Sequence, residues 1–107
     1  MRLLVLILAS VLAAALEPYE LDYSNFESFV ASRKSGKITS YKPWFIKFAA
    51  PWCGHCKKMK PVWEEFYGKN QDWLNVGDVD CTSDYGQLLC SEYGISSYPT
   101  LLFFPNQ

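Results

Sequence analysis

Short apolar runs alternate along the chain with segments in which apolar residues recur every three or four positions. Such runs predict buried strands, and the wider spacing predicts helices that pack one face on a core. Strands are therefore predicted over residues 18–21, 44–49, 74–80 and 101–104, and helices begin near residues 24, 53 and 87. This alternation indicates a layered α/β domain with right-handed crossovers.

The first predicted helix has a start signal at Ser24. Ser24 at the N-cap and Glu27 three residues later form the pattern of a capping box. Phe26, Phe29 and Val30 follow at helical spacing and are expected to face the core. The polar pair at residues 35–36 is expected to end this helix.

The second predicted helix runs to about Tyr67, with Gly68 as its expected C-cap. Pro61 lies inside it and is expected to kink it, because proline removes one backbone hydrogen bond. The third helix, residues 87–93, is expected to close at Gly94. The inner face of the second helix is predicted to carry Met59, Val62, Trp63 and Phe66.

The first 15 residues have the pattern of a secretory signal peptide. Arg2 supplies a positive start, residues 3–12 are apolar, and Ala13 to Ala15 form a small-residue cleavage site. The apolar run is shorter than the about 20 residues that a membrane-spanning helix needs. We therefore expect cleavage after Ala15, a mature domain over residues 16–107, and no membrane anchor within this chain.

Length, composition and charge limit the number of domains and the class of partner. The 107 residues suffice for one domain, and a hydrophobic content of 50% suffices for a packed core. The formal net charge is only −1, without a basic stripe, so nucleic acid is not an expected partner. A secretory route would place the four cysteines in an oxidising compartment, where disulfides persist and exchange.

Two of these cysteines, Cys53 and Cys56, lie three residues apart at the predicted turn from strand to helix. A thiol at a helix N-terminus meets unpaired N–H groups and the positive end of the helix dipole, which stabilise its thiolate. We therefore predict Cys53 as the nucleophile and Cys56, less exposed one turn on, as the resolving thiol. Gly54 and His55 lie between them, and a cationic His55 would favour the reduced form.

Three alternative roles for the cysteines compete with redox chemistry. A zinc site would need a second ligand pair, which Cys81 and Cys90 could supply, although their spacing is not that of a zinc knuckle. Covalent haem attachment requires histidine directly after the second cysteine, and residue 57 is lysine. An inert structural disulfide between Cys53 and Cys56 remains the third alternative.

The run Ala50-Pro51-Trp52-Cys53-Gly54-His55-Cys56-Lys57 resembles the active-site signature of the protein disulfide isomerase family. This resemblance implies a thioredoxin-like fold, a three-layer sandwich with a central mixed sheet and helices on both faces. It also implies catalytic roles for Cys53, Gly54, His55 and Cys56. Trp52 would contact substrate together with Tyr98 and Pro99, which the resemblance expects to be joined by a cis peptide facing the Cys53 sulfur.

The resemblance implies a structural disulfide between Cys81 and Cys90, which occupy places where several domains of this family carry one. A redox-sensing or substrate-holding role is the alternative. Nothing near either residue in the sequence would lower the pKa of a thiol, which favours the static bridge.

The sequence departs from the family pattern at two points. A buried acid six residues before the first cysteine is replaced by Lys47, which must pair, reach the surface with its amine, or lose its charge. Lys47 could tune the pKa of the cysteines or relay protons, so Lys47→Glu is expected to speed dithiol oxidation. The family fold also continues past Phe104 with another strand and helix, so the domain is expected to be incomplete at its C-terminal end.

The resemblance implies thiol–disulfide exchange on unfolded or misfolded cysteine-containing secretory proteins in the lumen of the endoplasmic reticulum. Glutathione or an upstream thiol oxidase would accept the electrons, and no metal or organic cofactor is implied. One alternative is a chaperone-like module that binds clients with weak or no redox catalysis. Another is a single domain of a larger oxidase or membrane-anchored relative.

Overall fold

The computed structural model describes residues 17–106, so the predicted signal peptide lies outside the described residues. Four strands and three helices alternate in the predicted order. The strands are β1 (Tyr19–Glu20), β2 (Trp44–Ala49), β3 (Asn75–Asp80) and β4 (Thr100–Phe104). The helices are α1 (Phe26–Phe29), α2 (Gly54–Asn70) and α3 (Asp84–Glu92).

The four strands form one mixed sheet in the order β1-β3-β2-β4. Strands β1, β3 and β2 run parallel, and β4 pairs antiparallel with β2. The apolar run of β2 therefore lies inside the sheet, covered on both faces as its composition predicts. The mixed sheet confirms the predicted fold class.

Alternate residues of β2 pack against different helices. Trp44, Ile46 and Phe48 belong to the core shared with α1 and α3, whereas Phe45 packs against residues of α2 on the opposite face. Helices thus cover both faces of the sheet, which confirms the predicted three layers. This arrangement places Lys47 on the face covered by α2.

The start of the first helix differs from the prediction. Helix α1 has only four residues and its N-cap is Asn25, so the capping box at Ser24 was wrong. The Ser24 hydroxyl donates to the Asp22 carboxylate, and Glu27 accepts from the backbone N–H of Arg33. Phe29 is about half exposed, so its predicted core position was also wrong.

Helix α2 is longer than predicted. It continues through Gly68 to Asn70, with Gln71 as the C-cap, so the expected stop at Gly68 was wrong. The last turn is supported by the Asn70 side-chain amide, which donates to the Phe66 carbonyl at 2.9 Å. Val62 is largely exposed rather than on the inner face. The assigned helix is unbroken at Pro61, and the kink stays a prediction.

Helix α3 begins three residues earlier than predicted. Ser83 is its N-cap, and the Ser83 hydroxyl accepts a hydrogen bond from the Gly86 N–H at 3.0 Å. Gly94 follows the helix with φ of 65°, a left-handed conformation that suits glycine. Within residues 17–106, no helix combines the length and the apolar character needed to cross a membrane.

Candidate active site

The Cys-Gly-His-Cys segment lies where strand β2 gives way to helix α2. Cys53 is the N-cap of α2, with extended backbone angles of φ −77° and ψ 118°. Its N–H donates to the Ala50 carbonyl, and its own carbonyl accepts from the N–H of Lys57, both at 3.1 Å. The N-cap position places the Cys53 side chain beside the first N–H groups of the helix, which have no partner within the helix.

The Cys53 sulfur occupies the position that a capping oxygen takes in other helices. It accepts a hydrogen bond from the Cys56 N–H at 3.3 Å, and its thiol lies 3.6 Å from the Tyr98 carbonyl oxygen. A hydrogen bond from the Cys56 side chain lowers the pKa of Cys53, helped by the backbone N–H groups of Cys56 and His55. These donors favour the Cys53 thiolate.

Cys56 has the opposite character. Burial raises the pKa of its thiol, and the hydrogen bond that it gives to Cys53 adds to this rise. Both cysteines are free thiols, with Cys53 8% and Cys56 6% exposed. The two thiols are therefore almost equally buried, whereas the sequence predicted that Cys56 would be clearly less exposed. Their pKa values are shifted in opposite directions because Cys53 accepts hydrogen bonds, whereas burial and a donated hydrogen bond act on Cys56.

Gly54 and His55 form the first turn of α2, and both are exposed. Among the described residues, no atom lies within 4 Å of the position that a Gly54 Cβ would occupy, so this side of the motif is open. His55 contributes its backbone N–H to the low pKa of Cys53. The redox-tuning role of the imidazole stays a prediction.

Of the three predicted substrate-contacting residues, Tyr98 lies against the Cys53 sulfur, Trp52 packs on the Tyr98 ring, and Pro99 follows Tyr98 in the chain. Trp52 is 69% exposed, and its ring meets that of Tyr98 edge to face with centroids 5.7 Å apart. The Tyr98–Pro99 peptide is cis, as the resemblance implies. An exposed aromatic ring beside a reactive sulfur is a suitable surface for an extended polypeptide.

Lys47 pairs with Asp78, a residue that the sequence pattern alone did not single out. The two residues are in register on β2 and β3, and Lys47 Nζ lies 3.4 Å from Asp78 Oδ1. Their side chains are 8% and 25% exposed. Lys47 Nζ also lies 5.6 Å from the centre of the Trp63 ring. Lys47 was expected to pair, to reach the surface with its amine, or to lose its charge, and the structure shows the first of these, an ion pair.

The strand register identifies Asp78 as the partner of Lys47. Residue 47 interrupts the apolar run of β2, but β3 carries several polar residues, among them Asp78 and Asp80. Neither register nor strand order follows from the apolar pattern, so the pairing could not be chosen from among the acidic residues.

Cys56 and the ion pair line the same cavity, of about 360 Å³. Its wall also includes Asp80 and, from α2, Lys57 and Lys60. The inner thiol thus has access to ionisable groups that lie beneath the active site. Across residues 17–106, no three His, Cys, Asp or Glu side chains are arranged to hold a metal ion.

Cys81 and Cys90 are joined by a disulfide with a Cα–Cα distance of 5.7 Å. Cys81 directly follows β3 and Cys90 lies in α3, and both are buried in the core. The bond engages both sulfurs that the zinc alternative required as ligands.

Comparisons with known proteins agree with this architecture. Residues 17–107 match the family described as Thioredoxin. A protein disulfide-isomerase-like protein, EhSep2, from Emiliania huxleyi is 44% identical over 92% of this chain and 41% of its own length. Protein disulfide-isomerase 2-3 of Arabidopsis thaliana is 38% identical over 79% of this chain and 17% of its own length. The chain therefore spans well under half of these relatives.

Solved structures give the same fold. The J-Trx1 fragment of ERdj5 superposes with a TM-score of 0.68 and 32% identity, over 82% of this chain and 38% of that fragment. The Trx4 domain of ERdj5 has a TM-score of 0.70 over 84% of this chain and 71% of that domain, and at 24% identity it supports the fold alone. The family match and the isomerase-like relatives together support a thiol–disulfide oxidoreductase domain. By its fold and by this match over residues 17–107, the chain belongs to the thioredoxin family.

Proposed function

We propose that the chain catalyses thiol–disulfide exchange that forms and rearranges disulfides in secretory proteins as they fold. The observation that carries the proposal is the contrast between the two thiols. The Cys53 sulfur receives hydrogen bonds that lower its pKa and favour its thiolate, whereas burial raises the pKa of Cys56. A nucleophile and a resolving thiol one helical turn apart are what exchange requires.

The reaction follows from these roles. In the reductive direction, the Cys53 thiolate attacks a substrate disulfide, forms a mixed disulfide and releases one substrate thiol. Cys56 then attacks the Cys53 sulfur, so that the Cys53–Cys56 bond forms and the second substrate thiol leaves. Oxidation is the reverse, with glutathione or an upstream thiol oxidase restoring the Cys53–Cys56 disulfide. Isomerisation requires a substrate thiol to displace Cys53 before Cys56 reacts.

Substrate selection is assigned to the exposed surface around Cys53. The Tyr98 carbonyl already accepts from the Cys53 thiol, and the exposed ring of Trp52 packs against the ring of Tyr98. An unfolded or misfolded protein with accessible cysteines fits this open surface. The names of two relatives, a disulfide-isomerase-like protein and a disulfide isomerase, support the same class of substrate.

The proposed location is the lumen of the endoplasmic reticulum. Its support is the signal-peptide pattern of residues 1–15 together with the disulfide between Cys81 and Cys90, since such bonds persist in oxidising compartments. The relatives are longer than this chain, so the domain could also act within a larger oxidase or a membrane-anchored protein.

A client-binding module is the second candidate, favoured by the 69% exposure of Trp52. Cys53→Ser separates the two functions, because it removes the nucleophile and leaves the aromatic surface in place. We expect this variant to lose oxidation and isomerisation of a reduced, unfolded test protein, while Cys56→Ser accumulates mixed disulfides. Full suppression of client aggregation by Cys53→Ser, with no exchange activity in the unsubstituted chain, would instead favour the binding module.

A further inference from the structure

Three carboxylates and one lysine share the face of the sheet that lies beneath helix α2. Glu20 on β1 is in register with Asp78 on β3, which is in register with Lys47 on β2. Residues paired in register point to the same face of a sheet, so the three side chains form a row across the strands. Asp80 lies two residues beyond Asp78 and therefore on the same face.

This row lies along one wall of the cavity that Cys56 also lines. The cavity volume is about 360 Å³, which is many times the roughly 30 Å³ that one water molecule occupies in the liquid. The cavity therefore has room for water between the Cys56 thiol and the carboxylates that line it, and a proton can pass between two groups through water.

Asp78 differs from the other two carboxylates in its hydrogen bonds. Asp80 Oδ1 already accepts from the backbone N–H and the hydroxyl of Thr82, at 2.8 and 2.6 Å. Glu20 is exposed on the edge strand β1. Asp78 Oδ1 is buried and lies 3.4 Å from Lys47 Nζ. Hydrogen bonds from the Lys47 amine and the Trp63 indole act to lower the pKa of this carboxyl, against the effect of burial. Asp78 is therefore the carboxylate of this row that is held in the interior by a cation, beneath helix α2.

We propose that Asp78 is the proton acceptor for Cys56 and that Lys47 is the residue that positions its carboxylate. This inference rests on the proposed function. In the resolving step, the proton of Cys56 passes through water to Asp78, and the Cys56 thiolate attacks the Cys53 sulfur of the mixed disulfide. The Cys53–Cys56 bond forms, the bond from Cys53 to the substrate sulfur breaks, and the electron pair leaves with that sulfur, which then takes up a proton.

The surroundings suit this role. Burial raises the pKa of Asp78, which makes its carboxylate a stronger base, while the charge of Lys47 opposes that rise. The same charge lowers the pKa of Cys56, the donor. The other ionisable groups facing Asp78 are Glu20 from β1, Asp80 from β3, and Lys57, Lys60 and Glu64 from α2.

The ion pair changes what Lys47→Glu should do. With Asp78 opposite in register, this substitution would place two carboxylates against each other and leave neither with its cation. Like charges so close raise each other's pKa and strain the sheet. We therefore expect Lys47→Glu alone to slow resolution, contrary to the expectation from sequence alone.

The test separates the two steps of oxidation in the full chain. Reduced protein is mixed with excess glutathione disulfide, quenched with acid, alkylated and analysed by mass, which distinguishes the Cys53–glutathione mixed disulfide from the Cys53–Cys56 bond. The informative variant is Lys47→Gln/Asp78→Asn, a neutral pair that leaves no buried charge unpaired at these two positions. Asp80→Asn and Glu20→Gln are matched controls on the same face.

We expect the neutral pair to slow decay of the mixed disulfide by about tenfold, less than the roughly 10²–10⁴-fold of a full general base because solvent also accepts protons. Formation of the mixed disulfide should stay unchanged, and so should decay in both controls. The exchanged pair Lys47→Glu/Asp78→Lys should recover much of the rate, because it again provides one carboxylate and one cation. Recovery should come with a changed pH profile, since the base is then on β2.

A folded neutral pair that resolves within about twofold of the unsubstituted chain would overturn the assignment, since a general base contributes far more than that. The assignment would also be overturned if Asp80→Asn or Glu20→Gln, rather than the neutral pair, slowed decay of the mixed disulfide. Failure of the proposed function has a separate signature, in which the unsubstituted chain forms no mixed disulfide at Cys53 at all.

Discussion

Breaking the disulfide between Cys81 and Cys90 should destabilise the domain by an amount that can be calculated. The bond joins residues nine positions apart, from just after β3 to the last turn of α3. For a closed loop of this length, the chain-entropy relation gives about 2.6 kcal/mol at 25 °C. Against a total stability of about 5–15 kcal/mol for a typical domain, this is a substantial fraction.

The assay needs a background in which only this bond responds to reductant. In Cys53→Ala/Cys56→Ala, the free energy of unfolding is measured in urea with and without dithiothreitol. Reduction breaks the bond but leaves both sulfur atoms in place. The difference between the two free energies of unfolding therefore measures the cross-link alone, without a change in side-chain packing. Cys81→Ala/Cys90→Ala in the same background adds the packing loss and should be less stable still.

A difference below about 1 kcal/mol would refute the reasoning, because the loop-closure estimate is more than twice as large. Reduction of this bond at the glutathione potential of the secretory pathway would favour the alternative redox role for the pair. An intact bond under those conditions would support a static cross-link.

Three further predictions address the thiols, the packing of α3 and the buried acid. Alkylation of reduced protein by iodoacetamide should reach half its maximal rate at lower pH for Cys53 than for Cys56, since the pKa is lowered at Cys53 and raised at Cys56; equal profiles would contradict the assignment of roles. Gly86→Ala should cost roughly 1–3 kcal/mol or more, because its Cβ would lie 1.8 Å from the Asp80 carbonyl oxygen. The matched control Gly68→Ala, exposed in α2 with no described atom within 4 Å, should gain about 0.5–1 kcal/mol, and urea unfolding that ranks the two alike would refute the packing argument. The raised pKa of Asp78 means that the folded state holds its proton more tightly than the unfolded state. The contribution of Asp78 to stability should therefore fall as pH rises from the ordinary value of 3.8 through the higher folded value, and Asp78→Asn should remove this contribution; an unchanged pH dependence of stability in the variant would contradict it.

The alternation of apolar runs and helical spacing predicted the order of elements correctly because both periods are strong in this chain. Strand β2 was predicted with its observed ends, since a six-residue run that is apolar except for Lys47, between polar segments, is typical of a strand buried on both faces. The motif also predicts Cys53 and Cys56 as the reactive pair, and that assignment stays a prediction until the thiols are titrated.

Features that depend on tertiary contacts were predicted less well. The capping box at Ser24 was wrong because the Ser24 hydroxyl donates to Asp22 instead. Gly68 did not end α2, which continues to Asn70, where the side-chain amide donates to the Phe66 carbonyl. Helix boundaries depend on such local competition, which a sequence pattern does not resolve. Asp78 was missed for a related reason, since its importance comes from register with Lys47 on a neighbouring strand.

The central claim is that Cys53 and Cys56 form a reversible redox pair while Cys81 and Cys90 stay joined. A glutathione redox titration of the full chain, with alkylation and mass analysis at each potential, measures the two pairs separately. We predict that Cys53 and Cys56 titrate together near the roughly −180 mV of disulfide isomerases, with Cys81–Cys90 oxidised throughout. Titration near roughly −270 mV would indicate a reductase instead, and a Cys53–Cys56 pair that does not exchange with glutathione at any potential would contradict the account.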